Sequence, residues 1–246
     1  MSGCLVVMAA VVLTILPPWP PAQAQNAGCQ ALAEAWEGFE RSVRDALLPR
    51  SILQNQLETW PRRLKTCYAD HRFGGICVFP LNGYGIAETL GSNRNGHGGF
   101  VARGYAFLDG NRHGGHPAID FFVHDRNQDG RDDRTGRAID VLAIADGVVF
   151  SVFDGWQANG PTALVRGGNY TWIYHPALDV FSYYAHLSAV AVRTGQTVTA
   201  GQRIGCLGRS GRNAHPQRSP THLHLMLLNA GDMQPIQPLD LLPKAR

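Results

Sequence analysis

Between residues 29 and 67 apolar side chains recur at every third or fourth position: Leu32, Trp36, Phe39, Val43 and Leu47, with charged residues filling the other faces. This spacing matches the 3.6-residue turn and predicts an amphipathic helix that buries one stripe. A second helix is predicted from Ser51 toward Trp60, ended or kinked by Pro61, which has no N–H to give to the helical ladder. Beyond Cys77 the period changes. Short runs of β-branched and aromatic residues are separated by glycine and other turn formers, the pattern of an antiparallel β domain. Within it, Thr194-Gly195-Gln196-Thr197-Val198 returns six residues later as Ala200-Gly201-Gln202-Arg203-Ile204, each glycine marking a turn between short strands. The glycine-rich stretch from Gly91 to Gly115 is too long for a tight turn and predicts a loop bordering a cleft.

The first residues follow another pattern. Residues 1–25 carry no charged side chain, are apolar from Leu5 to Leu16, and end in Ala22-Gln23-Ala24. This is the pattern of a removable leader over residues 1–24, and the apolar core is too short for the ~20 residues a spanning helix needs. The organisation expected is therefore a leader (1–24), a helical segment (25–76) and a β domain (77–246), in an exported protein that is periplasmic or secreted, associated with the cell envelope and without a membrane span. Removing the leader leaves Cys29, Cys67, Cys77 and Cys206, an even number where disulfides persist. Cys29 and Cys67 bracket the helical segment, so the expected pairing is Cys29–Cys67 with Cys77–Cys206. The net charge of +3 is mildly basic. It suits approach to anionic material, and no nucleic-acid-binding motif accompanies it.

Candidate chemistry lies in the β domain. His116-x-x-x-Asp120 and His222-x-His224 flank His186, which sits in Tyr183-Tyr184-Ala185-His186-Leu187. Neutral imidazoles and a carboxylate are ligands that zinc accepts, and three protein ligands leave a fourth position for water. Residues two apart on a strand share a face, so His222 and His224 can both look into one site. Residues four apart on a strand are ~13 Å apart, so the chain between His116 and Asp120 must bend. Gly114, Gly115 and Pro117 suit a bend. A second His-x-x-x-Asp, His175 to Asp179, has the same spacing, and spacing alone does not choose between the two.

The order of elements does choose. Val141-Leu142-Ala143-Ile144-Ala145-Asp146-Gly147-Val148-Val149 follows Asp120, then the run to His175, then His186, the doubled Gly-Gln hairpin and His222-Leu223-His224-Leu225. From about Phe79 to Leu228 this resembles the lysostaphin-like zinc peptidoglycan endopeptidases, the family that includes the β-lytic metalloendopeptidases. The resemblance implies a mainly β, duplicated-hybrid-motif-like antiparallel catalytic domain. It implies Zn2+ held by His116, Asp120 and His224, with His186 and His222 as catalytic histidines and His175 at a strand end with Asp179 in the following turn. It implies peptidoglycan as the partner and hydrolysis of its peptide cross-links or stem-peptide amide bonds. The family usually carries glycine where this chain has Ala118, which would be strained if that position required a positive φ.

His97, His113, His124 and His215 are read as loop or cleft residues. Asp125, Asn127 and Asp129, followed by Gly130, have the spacing that opens a calcium loop, with Asp133 as a further ligand, although Gly136 stands where such a loop supplies its bidentate glutamate. A solvated acidic turn is the other reading. The helical segment is expected either to pack on the catalytic domain for stability or to lie over its groove. A catalytically silent cell-wall binder, or an activator of another hydrolase, is the second functional class.

Overall fold

The structure, a computed structural model, describes residues 22–69, 72–90 and 99–243. The leader expected over residues 1–24 lies outside the described residues except for its last three, which begin the first helix. Three helices come first: α1 Ala22–Arg44, α2 Arg50–Leu57 and α3 Trp60–Tyr68. The strands are β1 Ala118–Phe122, β2 Asp140–Leu142, β3 Gly147–Phe153, β4 Asn169–His175, β5 Val180–Val190, β6 Thr197–Val198, β7 Arg203–Leu207, β8 His222–Asn229 and β9 Pro235–Ile236. All pair antiparallel in one nine-stranded sheet, with the path β1-β8-β5-β4-β3-β6, β7 joining β5 to β2, and β9 on β8. The class is mainly antiparallel β with N-terminal helices, as the hydrophobic pattern indicates.

Alternation along β8 sorts the core. Leu223, Leu225 and Leu227 enter one hydrophobic cluster together with Ile119, Phe121, Val141 and Ile204. Met226 and Leu228 enter the other, which also holds Trp36, Phe39 and Trp60 from the helices. His222 and His224 share the second face, because side chains two apart on a strand point the same way. The helices therefore cover the same face of the sheet that carries the histidines. Trp36 is the anchor. It is fully buried, stacked on Phe181 at 4.4 Å and 10°, and edge-on to Trp60 at 5.0 Å.

Three expectations are corrected. The helix stops at Arg44, where Ala46 takes a positive φ, so Leu47 is 61% exposed rather than on the buried stripe. Pro61 opens a third helix rather than ending the second, standing in the first turn of α3, where a missing N–H costs nothing. Cys29 and Cys67 are bridged, with Cα atoms 5.6 Å apart, but Cys77 and Cys206 are both free thiols. The reason is register. Val78 N–H donates to the Ile144 carbonyl, whereas Cys206 pairs with Asp140, four residues back along the same segment. That is ~13 Å in extended chain, beyond the ~7 Å Cα limit of a disulfide.

The doubled turn forms as read. Gly195 and Gly201 take φ of 83° and 78°, and each following glutamine folds back, Gln196 Oε1 accepting from Arg193 N–H and Gln202 Oε1 from Thr199 N–H. Truncating Trp36 to alanine is expected to destabilise the fold by about 3–5 kcal/mol. Leu47→Ala is expected to change stability by less than about 0.5 kcal/mol, as surface substitutions do. Urea denaturation of both variants measures the contrast.

Candidate metal centre and active site

β1 and β8 pair so that Asp120 lies directly opposite His224. Ala118 sits in β1 with ordinary extended backbone and is fully buried, so the substitution of alanine for glycine introduces no strain. His116 belongs to no named strand. It bridges to Val101 while β1 begins at Ala118, so the chain changes partner at Pro117. His116 Nε2 thereby reaches to 3.2 Å from Asp120 Oδ1 and 3.2 Å from His224 Nδ1, and His224 Nδ1 lies 2.9 Å from Asp120 Oδ1.

These three distances test the fit of a metal. Ligand atoms placed ~2.0–2.2 Å from a tetrahedral ion stand ~3.3–3.5 Å from one another. The observed triangle is a few tenths of an ångström tighter, and an ion entering it requires only a small spreading of the three side chains. Among the described residues His116, Asp120 and His224 form the one group of at least three His, Cys, Asp or Glu side chains whose ligand atoms gather this closely. Further hydrogen bonds prepare them. His116 Nδ1–H donates to the Gly99 carbonyl at 2.8 Å, which leaves Nε2 with its lone pair facing Asp120 and His224. Burial alone would raise the Asp120 carboxyl, yet the neighbouring His116, His224 and His222 rings hold it well below the usual carboxylate range. It is an anion ready to ligate.

His186 and His222 stand beside this triangle. Their rings are 4.8 Å apart, and His186 is 5.7 Å from the His224 ring. Both are tethered alike: His186 Nδ1–H donates to the Ser210 carbonyl at 2.9 Å and His222 Nδ1–H to the Pro220 carbonyl at 2.7 Å. A carbonyl only accepts, so Nδ1 carries the proton in each ring and Nε2 is left free. His222 Nε2 is 3.7 Å from Asp120 Oδ2. Strict alternation along β5 would send His186 to the far face with Ser182 and Tyr184. Instead it takes a φ of 67°, inside a bulge where β5 spends three steps, Tyr184 to Leu187, against two on β4. That turn re-aims its ring toward His222. Burial, followed by the charges of His222 and His224, pushes the His186 imidazole well below its ordinary range, so it is neutral.

The model of Peptidase family M23 matches residues 126–238, a span that includes His186, His222 and His224. The chain carries a domain of this family. The match begins after His116 and Asp120, which the β1–β8 pairing brings to the M23 domain. Peptidoglycan DD-endopeptidase ShyA of Vibrio cholerae serotype O1 is 42% identical over 91 residues, 37% of this chain and 18% of that protein. The chain thus matches less than a fifth of that relative's length. Among solved structures, the catalytic domain of the antimicrobial peptidase lysostaphin from Staphylococcus simulans is 27% identical, covering 52% of this chain and 78% of that one, with a TM-score of 0.37. A zinc containing peptidase from Vibrio cholerae is 22% identical, covering 71% and 40%, with a TM-score of 0.40.

Other sequence candidates lie elsewhere on the M23 domain. His175 ends β4 and is fully buried; its Nδ1–H donates to the Asp146 carbonyl, and its Nε2 accepts from the Ser182 hydroxyl at 2.7 Å. Burial pushes it down to about 4, and Asp179 occupies the turn after it, so this pair is structural. His124 stacks on Tyr84 and His215 packs on Trp156, while His113 lines the cleft and His97 lies outside the described residues. The calcium-loop reading of Asp125, Asn127 and Asp129 is not supported. Asp125 is buried, and its two oxygens already accept from the Asp129 and Gly130 N–H groups and from the Thr221 hydroxyl. Asn127 donates to Asp129, and Asp133 accepts from Arg126 N–H. The acidic turn therefore spends its oxygens on its own backbone and on the residue before His222.

One functional-looking group has no counterpart among the sequence candidates. Glu40 of α1 is buried, lines the cavity that runs from His116, His186 and His224, and accepts from the Tyr170 hydroxyl at 2.8 Å and the Ser151 hydroxyl at 3.2 Å. Burial raises its carboxyl to about 7, against the lowering effect of Arg44. An acid at the position four after Trp36 and three before Val43, inside an apolar stripe, is a signal the sequence does contain. Because the folded pKa lies above the ordinary 4.5, the folded state holds more protons between these values, and stability falls as pH rises from about 4.5 through about 7. Glu40→Gln is expected to remove that loss, gaining on the wild type by as much as about 3 kcal/mol between pH 4.5 and pH 8. Paired denaturation curves at both pH values read the difference.

Proposed function

We propose that this protein is an exported zinc metallopeptidase that hydrolyses amide bonds in the peptide part of bacterial peptidoglycan. The observation that carries the reading is the triangle of His116 Nε2, Asp120 Oδ1 and His224 Nδ1, with pairwise distances of 2.9–3.2 Å, flanked by two histidines whose free nitrogens are both Nε2. The family match to residues 126–238 and the identity to a peptidoglycan DD-endopeptidase support the substrate class. Export is supported by the leader pattern and by the Cys29–Cys67 bridge, and among the described residues no helix is long and apolar enough to cross a membrane.

His116, Asp120 and His224 would hold the ion. Zinc bound there supplies Lewis-acid chemistry, polarising a carbonyl and lowering the pKa of a water. The remaining work falls to the chain. His186 and His222 present Nε2 lone pairs on one side of the triangle, placed to accept a proton from the attacking water and to return it to the departing amine nitrogen. Their Nδ1 tethers fix the tautomer and the ring plane, so neither ring reorients during the transfer. With all five groups in place, the silent-binder reading has no missing ligand to rest on.

Zinc content and peptide release from cell-wall sacculi, both read by mass spectrometry, test the assignment. His224→Ala is expected to lose zinc and release together. His186→Ala and His222→Ala are expected to keep zinc and lose about 10²–10⁴-fold in rate, the range for a general acid or base. Full zinc in His224→Ala would overturn the ligand set, and no release by zinc-loaded wild type from several wall types would overturn the substrate class.

A further inference from the structure

Shortly after β1, Asp125 is a buried carboxylate that the metal centre does not use. A buried charge persists only where donors surround it. The donors of Asp125 tie two distant segments together. Oδ1 accepts from the Asp129 N–H at 3.0 Å and Oδ2 from the Gly130 N–H at 3.0 Å, which closes the turn. Oδ2 also accepts from the Thr221 hydroxyl at 2.7 Å, across 96 residues of sequence. Thr221, itself buried, is the residue immediately before His222. Its backbone is held by the same segment, because its carbonyl accepts from the Val123 N–H at 3.2 Å.

A third arm comes from the connection between β7 and β8. Arg209 Nη1 donates to the Thr221 hydroxyl oxygen at 3.0 Å and to the Ser219 carbonyl at 2.8 Å, and its Nη2 donates to the Pro216 carbonyl at 3.1 Å. Gln128, in the acidic turn with a φ of 63°, adds a donor to the Gln217 carbonyl at 2.9 Å. The Thr221 hydroxyl therefore accepts from a cation and donates to an anion, so both of its bonds are charge-assisted. Ser210, next to Arg209, supplies the carbonyl that holds His186. Both histidine tethers thus start from the one fastened connection between β7 and β8.

A peptide plane carries this grip to the ring of His222. The Pro220 carbonyl, which accepts from His222 Nδ1–H at 2.7 Å, is coplanar with the nitrogen and Cα of Thr221. Fixing Thr221 at its hydroxyl and at its own carbonyl consequently fixes the direction in which the Pro220 oxygen points. Pro220 has no N–H, so no hydrogen bond from its own nitrogen can do this. We propose that Asp125, Thr221 and Arg209 form a brace that positions His222, setting the Pro220 carbonyl so that it takes Nδ1–H and leaves Nε2 on the side of Asp120, 3.7 Å from Oδ2. This rests on the metallopeptidase reading and deepens it, making the acidic turn a support of the ring that moves the proton. All three are positioning residues, and no proton of the reaction passes through them.

The test uses the full chain with isotope-labelled histidine, with and without zinc, and reads the ring nitrogens by NMR; the His222 signals are those that His222→Ala removes. In wild type the neutral His222 ring is expected to show a protonated Nδ1 and a bare Nε2. Thr221→Val, which keeps the shape and deletes the hydroxyl, is expected to bring in the Nε2–H tautomer. It is also expected to lower kcat on a soluble peptidoglycan fragment by about 10–100-fold, with zinc content and KM within about twofold of wild type. Thr221→Ser, which keeps the hydroxyl, is expected to restore both tautomer and rate. Arg209→Gln removes the other arm at a partly exposed position and carries the same readout should Thr221→Val not fold. A His222 ring that stays Nδ1–H in every folded variant of Thr221→Val and Arg209→Gln would overturn the brace, whatever their rates. A tautomer shift in a protein whose zinc-loaded wild type cuts no peptidoglycan would instead overturn the peptidase reading and leave the brace standing.

Discussion

The register between β1 and β8 is the constraint from which the site follows. Pairing Asp120 with His224 across an antiparallel ladder places a carboxylate and an imidazole side by side without any long side chain having to reach. The same alternation puts His222 on that face and sends Leu223, Leu225 and Leu227 to the opposite core. A slip of one residue would exchange the two sets, burying histidines among leucines and exposing leucines at the cleft. The hydrophobic core thus holds Asp120 and His224 side by side, and their arrangement inherits its rigidity from the centre of the sheet.

Much of this was legible in the sequence because it rests on periodicity. His222-x-His224 on a strand that continues Leu225-Met226-Leu227-Leu228 can only present both rings to one side, and the amphipathic stripe Leu32, Trp36, Phe39, Val43 can only bury one face of a helix. What stayed hidden depended on local breaks in periodicity or on tertiary register. Nothing in Tyr184-Ala185-His186 announces a bulge, yet without it His186 would face away from His222 and His224. The helix ends before Leu47 because the chain turns at Ala46 in a left-handed conformation that alanine rarely adopts. The Cys77–Cys206 pairing failed on an offset along one segment that cysteine counting cannot see.

The N-terminal helices pack on the sheet and border the cavity at its histidines. They complete the aromatic core through Trp36 and Phe39, so much of the sheet face beneath them is buried, and α1 also presents Glu40 to the cavity. A covering layer held by stacked aromatic rings and stapled by Cys29–Cys67 is part of the folded unit. The wall of the cavity is consequently the product of both segments of the chain.

The left-handed φ of His186 has an evolutionary reading. A β-carbon at that backbone conformation costs of order 1 kcal/mol or more, which glycine would not incur. Any lineage or library screened for thermal stability alone would therefore drift toward glycine at position 186. Histidine at position 186 therefore gives up stability for a ring that the bulge turns toward His222.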